Sequence, residues 1–168
     1  MPIIRSEKAA DYDVIYDVVS KAFEGAAEAE LVVALRARAR PFYSLIAEVE
    51  NNIVGHIFFS PVVLDGHPEL RLMGLAPMAV LPEFQRGGIG TALVHAGLDQ
   101  CQAAEVDAVV VLGHPTYYPR FGFVPASRYG IDSVYPVPDD VFMITMLRKE
   151  VFHEKSGRIH YHAAFDAV

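Results

Sequence analysis

With 168 residues, 52% of them hydrophobic and 21% charged, the chain has the composition of a folded protein and enough length to bury a core. Its net charge of -7 argues against a nucleic-acid binder, which carries a basic face, and no apolar run reaches the roughly 18 residues that cross a membrane. The single cysteine, Cys101, excludes an internal disulfide, and the N-terminus shows no basic region followed by an apolar run, so the expectation is one cytoplasmic domain over 1–168.

Ile3 to Arg5 reads as a first strand. Val14, Ile15, Val18, Val19 and Ala22 recur at three- and four-residue spacing, which predicts a helix over 9–23 ended by Gly25. A second helix over 28–38 turns Leu31, Val32 and Leu35 inward, with Pro41 soon after it. The apolar runs 43–49 and 53–60 flank the turn signal Glu50-Asn51-Asn52 and predict a hairpin. Asp65-Gly66 is another turn, and a long strand follows over 70–80. After Pro82 and a glycine loop, a helix is predicted over 88–104 with the stripe Ile89, Leu93, Val94, Gly97, Leu98 and Cys101; Gly97 would let it sit close to a sheet. Ala108 to Leu112 is all apolar and reads as a central strand buried on both faces. Pro115 and Pro119 limit residues 117–121 to a helical turn, and 141–147 alternates as a further strand. The tail from His153 to Val168 shows no clear pattern. This order predicts an α/β or α+β fold, a single sheet with helices on both sides.

Gln85-Arg86-Gly87-Gly88-Ile89-Gly90-Thr91 follows a strand and opens a helix. Glycine permits positive φ and removes the Cβ that would block a ligand, so successive N–H groups point into one concavity at the positive end of a helix dipole. That is an anion site, to which Arg86 and the Thr91 hydroxyl add donors. The spacing is wrong for a dinucleotide fingerprint, and the lysine of a P-loop is missing. A glycine turn without a ligand is the remaining alternative.

The pattern Gln85-x-x-Gly88-x-Gly90 after a strand ending at Val80 resembles the cofactor signature of the GNAT superfamily of N-acetyltransferases. A second segment, Gly113-His114-Pro115-Thr116-Tyr117-Tyr118-Pro119-Arg120-Phe121-Gly122-Phe123, is similar to the short fourth helix of many GNAT enzymes. Together with Gly74 to Val80 it looks like the YhbS-like bacterial group, and the resemblance covers about 3–147. It implies a single mixed, mostly antiparallel sheet whose strands 70–80 and 108–113 splay apart. It implies acetyl-CoA as cosubstrate, with the pantetheine arm in the gap and Met78, Ala79, Val80, Gln85, Arg86, Gly87, Gly88, Ile89, Gly90 and Thr91 as cofactor contacts. Pro77, which has no N–H, suits an interrupted ladder.

The resemblance also implies acetyl transfer to an amine. Tyr118 matches the position of the family's acid, a phenol that protonates the leaving thiolate, with Tyr117 as the weaker candidate. Glu28, Glu30 and His114 are candidate bases beside a chain of waters; Asp and Glu in a first helical turn also simply favour the dipole. His56 on an apolar strand reads as a satisfied core histidine, and Cys101 on a helix stripe as a structural thiol, so transfer is expected to be direct. His160-x-His162 puts two rings on one face of a strand, too few ligands for zinc, so no metal is expected. The expected partner is a small-molecule or peptide amine, with a homodimer common in the family. A CoA-binding sensor without turnover would share the glycine loop.

Overall fold

The computed structural model describes residues 2–168. Its central hairpin joins β2 (Tyr43–Val49) to β3 (Asn52–Leu64). Glu50 and Asn51 both take positive φ, 51° and 68°, as a two-residue turn between right-twisted strands requires. β1 (Ile3–Ser6) pairs antiparallel with β2, and β4 (Leu72–Val80) pairs antiparallel with β3. β5 (Ala108–Leu112) pairs parallel with β4, and β8 (Phe142–Met146) pairs antiparallel with β5. The two-residue β6 (Val124–Pro125) lies outside β8. The sheet is therefore mixed and mostly antiparallel, as expected.

Because side chains alternate along a strand, the two faces of the sheet have separate cores. Leu45, Ala47, Ile57, Phe59, Met73, Leu75, Val109 and Val111 pack against α3 (Ile89–Ala103). A Cβ on Gly97 would lie 2.3 Å from Phe59 Cε1, so the close approach expected at this glycine is real. On the other face, α1 (Tyr12–Phe23) and α2 (Ala27–Arg38) cover Ile46, Phe58 and Ala79. The remainder of that face, including Val62, Leu72, Ala108 and Val110, carries a third cluster.

Three features differ from the sequence reading. Glu24, not Gly25, takes the left-handed conformation that ends α1, at φ 54°. β3 runs through Pro61 to Leu64, four residues longer than expected. The tail is part of the sheet: β9 (Gly157–His160) pairs with the far end of β3 and, in parallel, with β7 (Ile131–Ser133). Residues 163–167 then turn back to pack Ala164 and Phe165 into the cluster of α1 and α2.

Candidate active site

β4 and β5 part company midway. Their parallel register runs Leu72↔Ala108, Met73↔Val109 and Gly74↔Val110, and stops there. From Leu75 onward β4 pairs only with β3. On that side, two residues, Ala76 and Pro77, oppose the single residue Phe58, a bulge between the pairs Ile57↔Met78 and Phe59↔Leu75. The expected interruption at Pro77 is thus a bulge beside a gap. The gap exposes the backbone edge of residues 75–80 and leads to the loop before α3.

That loop is shaped by its backbone. Arg86 and Gly88 both sit at positive φ, 68° and 88°, and an ideal Cβ on Gly88 would meet nothing within 4 Å. A side chain there would point into open space in front of the helix. Gly88 is the residue before α3, and no side chain caps the helix. The first-turn N–H groups therefore have no protein partner and face outward with the positive end of the dipole. Gln85 folds back and donates from Nε2 to the Val80 carbonyl at 2.9 Å, so its side chain ties the loop to β4. Ile89 buries its side chain in the core, and Ala79 buries its methyl under α1, leaving only their backbones to a ligand. Thr91 Oγ1 lies 3.2 Å from the Tyr117 hydroxyl.

Val80, Arg86, Gly88, Gly90, Tyr117 and Arg120 line one cleft of about 350 Å³. Arg120 was not singled out from the sequence. Its Nε donates to the Tyr117 carbonyl at 2.9 Å and its guanidinium stacks over the Tyr117 ring, 4.5 Å from the centroid. No hydrogen bond to a protein group engages the rest of the guanidinium among the described residues, and Arg120 lines the same cleft as the loop. The signal was present, a cation two residues after Tyr118, but only the stacking shows which way it points.

Tyr118 begins the short helical turn after β5 and is 8% exposed. Its ring packs edge-on against Tyr117 at 5.1 Å and Phe123 at 5.6 Å. Gly113 makes room for it: a Cβ there would lie 2.3 Å from Tyr118 Cε2. Burial pushes the phenol up to about 12, with a smaller contribution from Tyr117, so it is a proton donor throughout the neutral range.

The other candidates are dispersed. His114 is exposed in the turn after β5, where its carbonyl accepts from the Tyr117 amide at 3.1 Å, and it does not line the cleft. Glu28 is half-buried in the first turn of α2, and Glu30 accepts a 2.7 Å hydrogen bond from Tyr16. His56 is fully buried; burial above all, then Arg36, lowers it to about 3, and its Nε2 lies 2.8 Å from Ser44 Oγ. Ser44 in turn donates to Glu7, which Arg36 holds by two hydrogen bonds. Cys101 is fully buried and its thiol is pushed up to about 12 by burial. His160 faces Asp65 at 2.9 Å, and His162 Nδ1 accepts from the Ala164 amide. Among the described residues no cluster of ligands could hold a metal, and no helix is long and apolar enough to cross a membrane.

The acetyltransferase (GNAT) domain profile matches residues 40–125, the stretch that holds the gap, the loop and Tyr118. The uncharacterized N-acetyltransferase YjhQ of Escherichia coli strain K12 is 41% identical over 135 residues, 78% of this chain and 75% of that one. The chain belongs to the GNAT acetyltransferases. The uncharacterized N-acetyltransferase YhbS of the same strain is 33% identical over 165 residues, 98% of both chains. The crystal structure of E. coli YhbS in complex with CoA superposes with a TM-score of 0.91 at 32% identity, over 98% of this chain and 92% of that one. A GNAT acetyltransferase from Brucella melitensis in complex with acetyl-CoA superposes at 0.82 with 35% identity, over 99% of both chains.

Proposed function

We propose that the chain transfers the acetyl group of acetyl-CoA to a primary amine of a small molecule or peptide, directly, in a ternary complex. We take 1–168 as one acetyltransferase domain. The observation that carries this reading is the β4–β5 gap, which leads to the glycine loop and its cleft; Tyr118 lies buried directly behind Tyr117, whose ring lines that cleft. The CoA and acetyl-CoA complexes of the related proteins support the same cofactor here.

Bound acetyl-CoA supplies an activated acyl carbon and a thiolate leaving group. The chain's own groups fit it. The exposed edge of residues 75–80 receives the pantetheine arm as an added strand, with the amides of Met78 and Val80 as donors. The N–H groups from Gly88 to Thr91 take the pyrophosphate, with Arg86 and Arg120 contributing charge. An amide near Leu75 to Met78 meets the charge that gathers on the carbonyl oxygen. The neutral amine must come within about 3–3.5 Å of the acyl carbon. A C–N bond then forms as the C–S bond breaks. Tyr118 passes its phenolic proton to the sulfur and regains one from solvent. The surplus proton of the amine leaves through Glu28, His114 or a chain of waters. The buried, unreactive thiol of Cys101 supports transfer without an acetyl-enzyme and a reducing, cytoplasmic setting.

The test is calorimetry with acetyl-CoA together with thiol release across a panel of amines. Saturable binding and amine-dependent release are expected. Binding with no release from any amine would instead make the chain a CoA-binding sensor, and absence of binding would end both readings.

A further inference from the structure

The β4–β5 gap also opens on the face of the sheet opposite α3, and there the C-terminal segment forms its wall. Gly74 is the last β4 residue paired with β5. A Cβ on Gly74 would lie 3.0 Å from Tyr161 Cε2, so the Tyr161 ring rests on the strand where the gap begins. Tyr161 is the middle of an aromatic row, 5.5 Å from Tyr135 and 5.2 Å from Phe165 between ring centroids. Tyr135 and Phe165 are half-buried residues, whereas burial holds the Tyr161 phenol above its ordinary range, so Tyr135 is the tyrosine of the row that a ligand can reach. Tyr135 also lines a cleft of about 200 Å³ with Ser127, Pro136, Asp139 and Phe142. Phe142 is the cross-strand partner of Leu112, the last residue of β5, which is itself 37% exposed. The row and the cleft therefore flank the open end of the gap.

The free charge at this place is negative. Asp166 is close enough to Tyr135 to help burial hold its phenol above the usual range, and Asp139 lines the cleft. The neighbouring cations are engaged: Arg158 with Asp132 at 3.1 Å, and His160 with Asp65. His162 uses Nδ1 as an acceptor. Among the described residues, the two basic groups placed here, Arg158 in the cleft wall and His160 on β9, each already face a carboxylate, which disfavours holding a second one. Ser60, the cross-strand partner of Gly74, adds a fully buried hydroxyl without a hydrogen-bond partner among the described residues.

We infer that the Tyr135–Tyr161–Phe165 row and its cleft seat the acceptor, and that the acceptor is a small organic ammonium ion, a primary amine on an apolar or aromatic body. The inference rests on the acetyltransferase reading and gives its missing substrate a chemical class. Aromatic faces attract ammonium groups, and carboxylates at the rim favour the cation over an anionic amino acid. The volume is below the usual 300–1,000 Å³ of a drug-sized pocket and suits a small amine rather than a peptide.

The probe is 2-phenylethylamine titrated into the CoA-saturated full chain, followed by the ring resonances of tyrosine and phenylalanine, with 3-phenylpropionate as the anion of similar shape. The cation should bind saturably and the anion should not. Tyr135→Ala and Asp166→Asn should each weaken the cation by roughly two- to thirtyfold, the range of a cation–π contact. Tyr135→Phe, which keeps the ring and guards against a folding defect, should bind nearly as the parent does. CoA affinity should stay the same in all three variants. Normal CoA binding with no saturation by the amine, with equal binding of the anion, or with undiminished binding by Tyr135→Ala and Asp166→Asn, overturns this inference alone. Loss of CoA binding by the parent chain would remove the acetyltransferase reading as well.

Discussion

Replacing Tyr118 by Phe isolates the acid from the scaffold around it. The ring stays wedged against Gly113, Tyr117 and Phe123, and only the hydroxyl is lost. Burial sets the size of the effect. A phenol pushed up to about 12 is a weaker acid than the alkyl thiol it would form, so complete proton transfer to the leaving thiolate is uphill. Proton donation is most effective when the donor lies near the working pH, and Tyr118 lies well above it. Its contribution should therefore fall at the low end of the usual range, about 10- to 100-fold. Single-turnover acetyl transfer, with an acceptor found by screening, should slow by that amount while acetyl-CoA affinity changes less than about twofold. Tyr117→Phe, which loses the hydroxyl that meets Thr91 beside Gly90 in the cleft, should cost less than about threefold in the same single-turnover assay. The parent enzyme should show no loss of activity from tyrosine ionisation below pH 11, because the raised pKa keeps the proton on through that range. An alkaline limb near pH 10 that disappears in Tyr118→Phe would contradict the buried donor. A larger loss in Tyr117→Phe than in Tyr118→Phe would move the acid to the neighbouring ring.

Four further substitutions test the scaffold. Gly88→Ala forces a side chain into φ 88°, at roughly 1–2 kcal/mol, and places a methyl in the open space before α3; calorimetry should show acetyl-CoA binding weakened at least about tenfold, whereas Gly87→Ala, at ordinary φ with 3.7 Å to the nearest atom, should leave thermal stability unchanged. Cys101→Ala should keep most of the activity and lose about 1 kcal/mol of stability to a small cavity, and mass spectrometry should find no acetyl group on Cys101 in the parent enzyme. Gly97→Ala drives a Cβ to 2.3 Å from Phe59, and overpacking of about 1–3 kcal/mol should outweigh the gain in helix propensity of about 1 kcal/mol and lower the unfolding midpoint.

The parts of this protein that were legible in sequence are those in which neighbours along the chain do one job together. The glycine loop is built from consecutive backbone amides, so Gln85 to Thr91 shows up as a motif. The Glu50-Asn51 turn and the stripe of α3 are likewise local. Length decided what was lost elsewhere: β6 and β7, at two and three residues, are too short to show a period, and β9 is held by pairing with strands far away in sequence. Gly113 stood inside a recognised segment, yet its task of admitting the Tyr118 ring is a contact across a turn.

The same reasoning explains why the acceptor stayed hidden while the cofactor did not. A phosphate is met by the backbone of one loop, whatever else the protein does. The proposed acceptor wall draws single residues from three separate places, Gly74 on β4, Tyr135 after β7 and Tyr161 to Asp166 after β9, none of which forms a local pattern. Such a wall can change one side chain at a time without disturbing the loop, the bulge at Pro77 or the seat of Tyr118. On this view, acceptor preference is set by residues around 135 and 161–166, and exchanging those side chains alone should alter amine selectivity while acetyl-CoA affinity stays the same. An exchange that changed acetyl-CoA affinity as much as amine selectivity would show that the two sites are not separable in this way.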